Sequence, residues 1–546
     1  MKQRTVGWIL ALVTVVLVVA NQQQVGLARD ELVYMASGDK YAKWWRGALL
    51  GGDATTRDKI TKSWGGPAPT DNNREHPPLI KTLSGFSRLI LSDGLGVDET
   101  TAYRFPSALL HGVLVLLVFL MVLELWGFAE AVMSALLVML LPRAVFHAGL
   151  ACFDAPIMTL WFATVYAYWR AIDGRKWPWQ VGIVFGLALA TKHNALLLPI
   201  ALGLHYLVAG IRQAGTGFLA YRWRVIVSML ILAPLTFIAL WPWLWFDTLD
   251  HVADWLTFHL THVHYNFEYL GDNWNAPAFP WHVALITTLF TVPVATLAAS
   301  VIGTCTWIVQ RARFDGRMPG LLLLLSAATS IGPFLLGSTP IFGAEKHWMP
   351  ALPSLCIAAG VGAVWAARAI GALIPAGGSS ASTIRRAIAG TACTVVVLAA
   401  LVETITAQPY ALTWYNAAAG EAPGGADRGM NRQFWGVAAR GVLPVLEADA
   451  SASKTPVYTH DAAPAWGTYL RRGELPSTMP DAGHEETGIT NSQYALVIHE
   501  RHFNRHDYLV WKLYGTVQPM FVLRTHGVPI VSLYKRPRPR PTAEKP

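Results

Sequence analysis

Long apolar segments are the feature that most restricts what this chain can fold into. A run over 6–20 follows Lys2 and Arg4, and the later runs approach or exceed the length that crosses about 30 Å of hydrocarbon as a helix. These later runs lie at 107–127, 128–146, 148–170, 178–192, 194–211, 224–246, 281–309, 318–337, 348–372 and 387–407. We therefore predict about eleven transmembrane helices. The first run is interpreted as a retained signal anchor, with a cleaved signal peptide as the alternative.

The composition agrees with a polytopic membrane protein. Of the 546 residues, 53% are hydrophobic and 14% are charged, whereas an ordinary soluble domain has about 25% charged residues. Lys and Arg in short cytoplasmic loops account for the net charge of +9, so that charge does not require a nucleic-acid partner. The cysteines lie in apolar runs and have neither metal-ligand spacing nor the pattern of a disulfide framework. They are Cys152, Cys305, Cys356 and Cys393.

Basic residues orient the predicted bundle. If the N-terminus is cytoplasmic, the loops on that side collect clusters of Arg and Lys, as the positive-inside rule requires. The clusters are Arg170, Arg175 and Lys176; Arg212, Arg222 and Arg224; Arg311, Arg313 and Arg317; and Arg385 and Arg386. We predict a multi-pass protein of an inner or plasma membrane, with loop 21–106 and the chain after residue 407 on the extracytoplasmic side.

Two domains follow from this organisation. Residues 1–407 form the predicted membrane domain, whose first loop carries amphipathic stretches at Lys40–Leu50 and Leu79–Leu91. Residues 408–546 have soluble composition and are predicted to form a small α/β domain with a disordered end from Lys535. Its predicted elements are a helix over Phe434–Ala448 and strands at Pro456–Thr459, Tyr494–His499, Phe521–Arg524 and Ile530–Tyr534.

Polar groups gather on the predicted outer face, and a charge beside an apolar segment is a candidate functional group because burying it is costly. Asp154 starts one such segment, and its alternative role is a helix cap, since Pro156 suits a first turn. Lys192 interrupts another, and its alternative is a lysine that reaches to the interface. Arg104 lies outside against the charge rule, and Asp39 stands in a turn where a solvated carboxylate is the alternative.

A histidine cluster raises the question of a metal. His259, His262 and His264 lie close together in the sequence, but they lack the regular spacing of catalytic zinc motifs. We predict no metal and no cofactor, and we keep a divalent cation as the alternative. The neighbouring aromatic residues of Tyr265–Gly271 suit either a membrane-interface belt or a surface that stacks on a sugar.

The outer face favours a lipid-linked donor. The chain has no Walker-type phosphate loop, and nucleotides are scarce outside the membrane. Transfer of a sugar from a lipid phosphate needs a carboxylate that takes the proton of the acceptor hydroxyl and cations that hold the departing phosphate. An aspartate surrounded by Arg and Lys at an aromatic-rich interface meets that requirement.

Short motifs in chain order carry a family resemblance. They are Gly38-Asp39-Lys40-Tyr41, Glu75-His76-Pro77-Pro78-Leu79, Arg104-Phe105-Pro106-Ser107, Phe153-Asp154-Ala155-Pro156, Thr191-Lys192, Tyr269-Leu270-Gly271, Gly343-Ala344-Glu345-Lys346-His347, Tyr415-Asn416, Gly425-Ala426 and Phe434-Trp435-Gly436. With these motifs the chain resembles the polyprenyl-phosphate-dependent glycosyltransferases of the GT-C fold. That superfamily (family 39/83-like) includes protein O-mannosyltransferases and aminoarabinose transferases.

The resemblance implies an all-α polytopic membrane protein of the GT-C fold, with the small outer α/β domain appended. It implies Asp39 as the catalytic base and Asp154 as a second acidic group. It implies donor-phosphate contacts at Arg104, Lys192, Lys40 and Lys346, and substrate contacts at Tyr41, Glu75, His76, His347 and Tyr269. Two positions depart from the family pattern. Asp39-Lys40 stands where many relatives have Asp-Glu, and Lys346 stands where an arginine is common.

The predicted function is an inverting hexosyl- or pentosyltransferase of the membrane. It would move a sugar from a polyprenyl phosphate to an acceptor protein, lipid or glycan, with the lipid bilayer as its other partner and no nucleic acid. The alternative is a transporter or lipid flippase, which would need ionisable groups near the bilayer midplane and often paired repeats. A third interpretation is a non-catalytic scaffold that binds partners through its outer tail.

Overall fold

A computed structural model describes residues 2–52, 54–68, 70–172, 178–212, 218–309, 317–375, 378–449, 455–500 and 504–537. The predicted cytoplasmic cations Arg175, Lys176, Arg311 and Arg313 lie outside the described residues, as does most of the predicted disordered end. The chain divides into two compact units. The first comprises Met1–Gln23, Tyr34–Tyr265 and Ala276–Gln408, and the second comprises Gln24–Val33, Asn266–Asn275 and Pro409–Pro546.

Helices make up the first unit. They are α1 (Lys2–Gln22), α2 (Arg29–Leu49, which begins in the second unit), α3 (Arg57–Trp64), α4 (Leu79–Ser87), α5 (Glu99–Leu125), α6 (Phe128–Met139), α7 (Pro142–Ala148), α8 (Asp154–Ile172), α9 (Trp179–Leu189), α10 (Leu198–Arg212), α11 (Phe218–Leu240), α12 (Thr248–Leu260), α13 (Val283–Thr291), α14 (Val294–Val309), α15 (Pro319–Ile331), α16 (Leu352–Ala372) and α17 (Gly378–Ala407). Short 3-10 turns join several of them, among them His193–Leu197 and Ala344–His347.

Membrane-spanning length is reached by six of the described helices, and by eight spans if each of two bent pairs counts as one. The six are Lys2–Gln22, Glu99–Leu125, His193–Ile211, Arg222–Leu240, Met349–Ala372 and Ala381–Ala407. These helices support the predicted membrane location, but the predicted count of about eleven is not confirmed. The two bent pairs turn by 66° before Pro142 and by 118° around Pro293, because proline removes a backbone donor and clashes with the preceding turn.

Helix α8 lies at the centre of the first unit. It packs against α5, α9 and α11 and also contacts α15 and α16, and it is buried over nearly its whole length. A helix that is apolar on all sides is stable only when it is covered on all sides. Its first residue, Asp154, is therefore held in a buried position at one end of the bundle.

The first loop folds onto the bundle through α2, α3 and α4. The predicted amphipathic stretch Lys40–Leu50 lies in α2, and Leu79–Leu91 becomes α4 followed by a π-helical turn over Arg88–Ser92. Helices α2 and α4 meet at Gly38 and Gly85, where a Cβ on either residue would overlap the backbone of the other helix. Glycine is thus required there for close helix approach.

Over its described residues, the second unit contains α18 (Glu421–Asp427), α19 (Leu443–Ala448), α20 (Ala463–Arg471), α21 (Glu485–Asn491), α22 (Asn504–Tyr514) and six strands. The strands are β1 (Phe267–Tyr269), β2 (Asp272–Trp274), β3 (Val457–Tyr458), β4 (Tyr494–Ile498), β5 (Phe521–Thr525) and β6 (Val528–Lys535). The last four form one sheet in the order β3-β4-β6-β5, and they lie where strands were predicted. The predicted helix Phe434–Ala448 is instead a 3-10 turn followed by α19, because Gly436, Gly441 and Pro444 interrupt it.

Candidate active site

A buried ion pair forms the centre of the candidate site. Asp154 starts α8, and Lys192 follows α9 in an extended conformation. The two side chains therefore meet where the beginning of α8 lies beside the end of α9. The Lys192 Nζ donates to Asp154 Oδ1 at 2.7 Å, and the residues are only 5% and 2% exposed. Helix-capping at Asp154 and interface-reaching at Lys192 were the alternatives, and the structure instead directs each side chain to the other.

Lys346 adds a second cation beside this pair. It lies in the 3-10 turn Ala344–His347 and is 4% exposed. Its Nζ stands 4.7 Å from the centre of the Phe342 ring, a distance at which a cation is attracted to the ring face. The Lys346 carbonyl accepts from Lys192 Nζ at 3.4 Å, and the Lys346 charge interacts with Asp154. The structure thus brings together three residues that were predicted separately.

A second buried ion pair borders the first. The Arg143 guanidinium donates to Glu345 Oε2 at 2.7 Å, and His147 Nε2 lies 3.7 Å from Glu345 Oε1. Arg143 holds the pKa of Glu345 below its usual value although burial alone would raise it. Sequence reasoning did not select these two residues, since Arg143 falls within the predicted span 128–146 and His147 stands at the break before the next predicted span.

Lys346 gives the cluster a net positive charge, because each of the two ion pairs is neutral. Three cations, Arg143, Lys192 and Lys346, face two carboxylates, Asp154 and Glu345, so one positive charge is in excess when the histidines are neutral. A buried site with an excess cation attracts an anion strongly, because the surrounding medium screens charge poorly. The geometry therefore suits a phosphate or another oxyanion.

Histidines cover the cluster on one side. The rings of His193 and His259 stack at 3.9 Å, and His76 lies 5.8 Å from His259. His347 Nε2 lies 2.6 Å from the Phe342 carbonyl oxygen. Burial lowers the pKa of His76 and His347, and it lowers the pKa of His259 to about 4. These imidazoles are therefore neutral at pH 7 and act as polar contacts, not as further cations.

No arrangement for a metal is found in the part of the chain that the structure describes, where no three His, Cys, Asp or Glu side chains converge on one point. Of the histidines that suggested a cation, His259 bonds to the Glu75 carbonyl and His264 packs on Phe279. His262 stacks on Phe342.

The first loop is held by a buried lysine. Lys81 is 2% exposed, and its Nζ donates to the Asn73 carbonyl, to Asn73 Oδ1 and to the His76 carbonyl at 2.6, 2.9 and 2.8 Å. Glu75 accepts from the Asn73 amide at 2.7 Å, and burial raises its pKa. This network fixes His76 against Phe153, the neighbour of Asp154, with ring centres 5.0 Å apart.

Lys40 and Tyr41 brace the same loop. The Lys40 Nζ donates to Asn72 Oδ1 at 2.7 Å on the surface, and the buried Tyr41 hydroxyl donates to the Asn72 carbonyl at 2.6 Å. Tyr41 also stacks on Trp64 at 3.9 Å. Their predicted contacts with donor and substrate stay predictions, since the bonds seen here join α2 to the loop.

Asp39 has different neighbours. It interacts with Tyr103 and with Arg88, and Arg88 also pairs with Asp93 at 3.0 Å and with Glu99 at 3.6 Å. The contacts seen here do not join Asp39 to the Asp154 cluster. Its predicted role as base stays a prediction.

Arg104 and Tyr269 complete the predicted set. Arg104 is buried and donates to the Gln22 carbonyl at 3.1 Å, which ties α5 to the end of α1. Its helix also reaches the segment before Asp154, because Ser107 donates to the Cys152 carbonyl at 3.2 Å. Tyr269 lies in β1 of the second unit, where its side chain is buried.

An adjacent acidic pair was overlooked. The resemblance implied Asp39 as the loop aspartate, with Lys40 departing from the Asp-Glu of many relatives, whereas an Asp-Glu pair, Asp30-Glu31, stands in the first turn of α2, within the second unit. Glu31 is fully buried and accepts from the Ala28 backbone at 2.7 Å, while Asp30 accepts from the Trp435 indole at 2.7 Å. Two acids opening a helix are a recognisable signal, because negative charge is favoured at helix N-termini.

Parts of this chain match known sequences. The sequence profile of the dolichyl-phosphate-mannose-protein mannosyltransferase family matches residues 75–243, a stretch that contains Asp154 and Lys192. An undecaprenyl phosphate-alpha-4-amino-4-deoxy-L-arabinose arabinosyl transferase of Pseudomonas fluorescens (strain Pf0-1) is 33% identical over 138 residues. That alignment covers 23% of this chain and 24% of the relative, so the chain matches about a quarter of the relative's length.

Two solved structures align with nearly the whole chain. The alignment with ArnT from Cupriavidus metallidurans bound to undecaprenyl phosphate covers 96% of this chain and 97% of the ArnT chain, with 15% identity and a TM-score of 0.48. The second structure is the archaeal oligosaccharyltransferase AglB from Archaeoglobus fulgidus in complex with an inhibitory peptide and a dolichol-phosphate. Its alignment covers 95% of this chain and 72% of the AglB chain. Its identity is 13% and its TM-score is 0.50, which shows a shared fold. The predicted resemblance to polyprenyl-phosphate-dependent GT-C glycosyltransferases is confirmed.

Proposed function

We propose that this chain is an integral membrane glycosyltransferase that moves a sugar from a polyprenyl phosphate to an acceptor at the extracytoplasmic face. The acceptor is a protein, a lipid or a glycan. The proposed orientation has a cytoplasmic N-terminus, because the predicted basic clusters then lie inside. The family match over residues 75–243 and the fold shared with AglB support this proposal.

The observation that carries the proposal is the buried cluster of Asp154, Lys192 and Lys346. Two lysines are each less than a tenth exposed: Lys192 pairs with Asp154, and the charge of Lys346 also acts on Asp154. A further ion pair, Arg143–Glu345, is adjacent in the chain to Lys346. Fixed cations in a poorly screened site stabilise negative charge that develops during a reaction. A departing phosphate gains such charge, so this cluster is the proposed position of the donor phosphate.

The proposed reaction is a single displacement. The acceptor oxygen attacks the anomeric carbon of the sugar, and the bond from that carbon to the phosphate oxygen breaks with its electron pair staying on the phosphate. The acceptor proton goes to a carboxylate, for which Asp39 is the proposed base. One displacement at the anomeric carbon inverts its configuration. A general acid is not required, since the polyprenyl phosphate leaves as a stable anion.

The remaining assignments are proposed around that step. Lys192 and Lys346 contact the phosphate, and Arg104 and Lys40 are the other proposed phosphate contacts. The substrate contacts are proposed at Tyr41, Glu75, His76, His347 and Tyr269, and Asp154 holds the lysines in place.

The alternative of a transporter or flippase has less support. A transporter of this size is expected to bind its substrate near the bilayer midplane. Here the buried charges of Asp154 and Lys192 stand where α8 begins and just after α9 ends, which suits chemistry at one face. Movement of a labelled solute without any covalent product would favour the transporter.

Sugar transfer in membranes tests the proposal. Membranes with and without the chain are incubated with polyprenyl phosphates that carry a labelled sugar, and proteins, lipids and glycans are then analysed by mass. We expect covalent label that depends on the chain and is lost with Lys192→Met but kept with Lys43→Met, an exposed lysine of α2. Label transfer that is equal in both variants would contradict the assignment of the cluster.

A further inference from the structure

The Arg143–Glu345 pair is a buried ion pair that the proposed reaction does not use. Arg143 lies in α7 and is 5% exposed, and Glu345 lies in the turn before α16 and is 2% exposed. The bond of 2.7 Å between them joins two segments that are far apart in the chain. Removing two charges from water costs several kcal/mol per ion, which their mutual attraction only partly offsets. A buried pair at this position is therefore a candidate for a functional role.

The turn that carries Glu345 and Lys346 needs restraint. Gly343 and Ala344 have φ values of 68° and 52°, both in the left-handed region. Alanine pays about 1–2 kcal/mol for this conformation, because its Cβ crowds the backbone. A turn with that penalty keeps its shape only when contacts around it hold it. Glu345, the next residue, provides such a contact through Arg143.

Lys346 gains its position from this turn. With the turn fixed, the Lys346 carbonyl accepts from Lys192, and the Lys346 ammonium lies over the Phe342 ring, where its charge interacts with Asp154. If the turn relaxed, the two lysines would no longer converge. A displacement of about 1 Å in a reactive site can lower activity by about a hundredfold.

We propose that Arg143 is a positioning residue that acts through Glu345: their bond fixes the turn Ala344–His347 so that Lys346 and Lys192 together hold one phosphate. This inference rests on the proposed function. It adds to that function a residue of α7 that does not touch the phosphate but sets the geometry of the groups that do.

The competing explanation is that the pair contributes only charge. A double variant separates the two, since Arg143→Met with Glu345→Met removes one charge of each sign and leaves the net charge of the cluster unchanged. Replacing a buried ion pair with apolar side chains of similar size is often neutral for stability. The matched control is Arg368→Met with Glu130→Met, which removes the ion pair of 2.6 Å between α16 and α6.

Equilibrium binding of labelled undecaprenyl phosphate to the full chain in detergent is the test. We expect the parent and the control variant to bind equally, and the Arg143/Glu345 double variant to bind about tenfold to a hundredfold more weakly at an unchanged unfolding temperature. The donor KM in transfer should rise by more than kcat falls. Glu345→Asp keeps both charges but shortens the reach by about 1.5 Å, and it should weaken binding to a lesser extent.

Each outcome decides between the claims. Equal affinity of the parent and the double variant would overturn the positioning role and leave the proposed function standing. A parent that does not bind the lipid phosphate would overturn the proposed function, and the inference with it. If the double variant does not fold, Glu345→Asp decides: weakened binding supports the role, and unchanged binding overturns it.

Discussion

Asp154 and Asp39 are two carboxylates of the same unit with different surroundings. Asp154 is almost completely buried among cations, with Lys192 at 2.7 Å and Lys346 beside it. Asp39 shares one arginine, Arg88, with two further carboxylates on the rim of the first loop. The Asp154 carboxylate is neutralised by lysines and fixes their positions. The Asp39 carboxylate competes with Asp93 and Glu99 for one arginine, so less positive charge surrounds it. This difference underlies the two proposed roles: Asp154 holds the lysines that contact the phosphate, and Asp39 accepts the proton.

Removal of the proposed base should have the largest effect. Asp39→Asn is expected to lower sugar transfer by about 10²–10⁴-fold, the usual contribution of a general base, while binding of the lipid phosphate changes little. Asp93→Asn is the matched control, since Asp93 pairs with the same arginine at 3.0 Å but is exposed. Rates are measured in membranes with labelled donor.

The acidic pair Asp30-Glu31 provides an alternative base that would contradict this prediction. If Asp30→Asn abolishes transfer while Asp39→Asn transfers as well as the parent, then the base has been assigned to the wrong carboxylate of α2. The base would then be Asp30, in the first turn of α2, and not Asp39, near the middle of that helix.

Neutralising the other carboxylate should reduce both activity and stability. Asp154→Asn leaves Lys192 buried without its counter-charge, which should lower the free energy of unfolding by about 3–5 kcal/mol, and transfer should fall about tenfold to a hundredfold. Thermal unfolding and transfer rates are measured on the same preparation. Unchanged stability would show that the ion pair is not closed in solution. Glu130→Gln, in the pair with Arg368, serves as the control.

The loop lysine tests whether the first loop supports the centre. Lys81→Met removes three hydrogen bonds and should lower the unfolding free energy by about 1–3 kcal/mol, with a smaller loss of transfer because His76 shifts from Phe153. The exposed Lys43→Met should change stability by less than about 0.5 kcal/mol. Chemical denaturation in detergent compares the two. Equal curves would mean that the loop is not held through Lys81.

The smallest expected effect is a pH dependence of stability. Burial lowers the pKa of His259 from 6.5 to about 4. Between these two values the unfolded chain binds more protons than the folded chain, so stability falls as pH falls from 6.5 towards 4. Thermal unfolding of the parent should show this slope, and His259→Gln should make it shallower. The same slope in both proteins would contradict burial of His259.

Part of this organisation was predictable from the sequence because the signals are local. Hydrophobic length predicted some of the helices, as with the run 107–127 and the observed α5, which begins earlier at Glu99. Alternation and turn residues predicted the strands β3 to β6 of the second unit but not β1 and β2. Asp154 and Lys192 were each predicted as functional residues because burying a charge is costly. Their ion pair is visible only in the structure.

The rest depends on contacts between distant segments. Arg143 and Glu345 are 202 positions apart, and neither has a local pattern that identifies its partner. The neighbours of Asp39 depend on how α2 packs on α4, where Gly38 and Gly85 set the approach. The bend around Pro293 was signalled by proline, but hydrophobic length outweighed it and a single long helix was predicted.

Binding of labelled undecaprenyl phosphate to the parent, Lys192→Met and Lys43→Met tests the central claim most directly. Lys192 carries the buried contact with Asp154, and Lys43 is an exposed lysine of the same charge. We expect the parent and Lys43→Met to bind equally and Lys192→Met to bind at least about tenfold more weakly, the effect of about 1.4 kcal/mol. Equal binding by all three proteins, or no binding by the parent, would contradict a phosphate site at the Asp154–Lys192 pair.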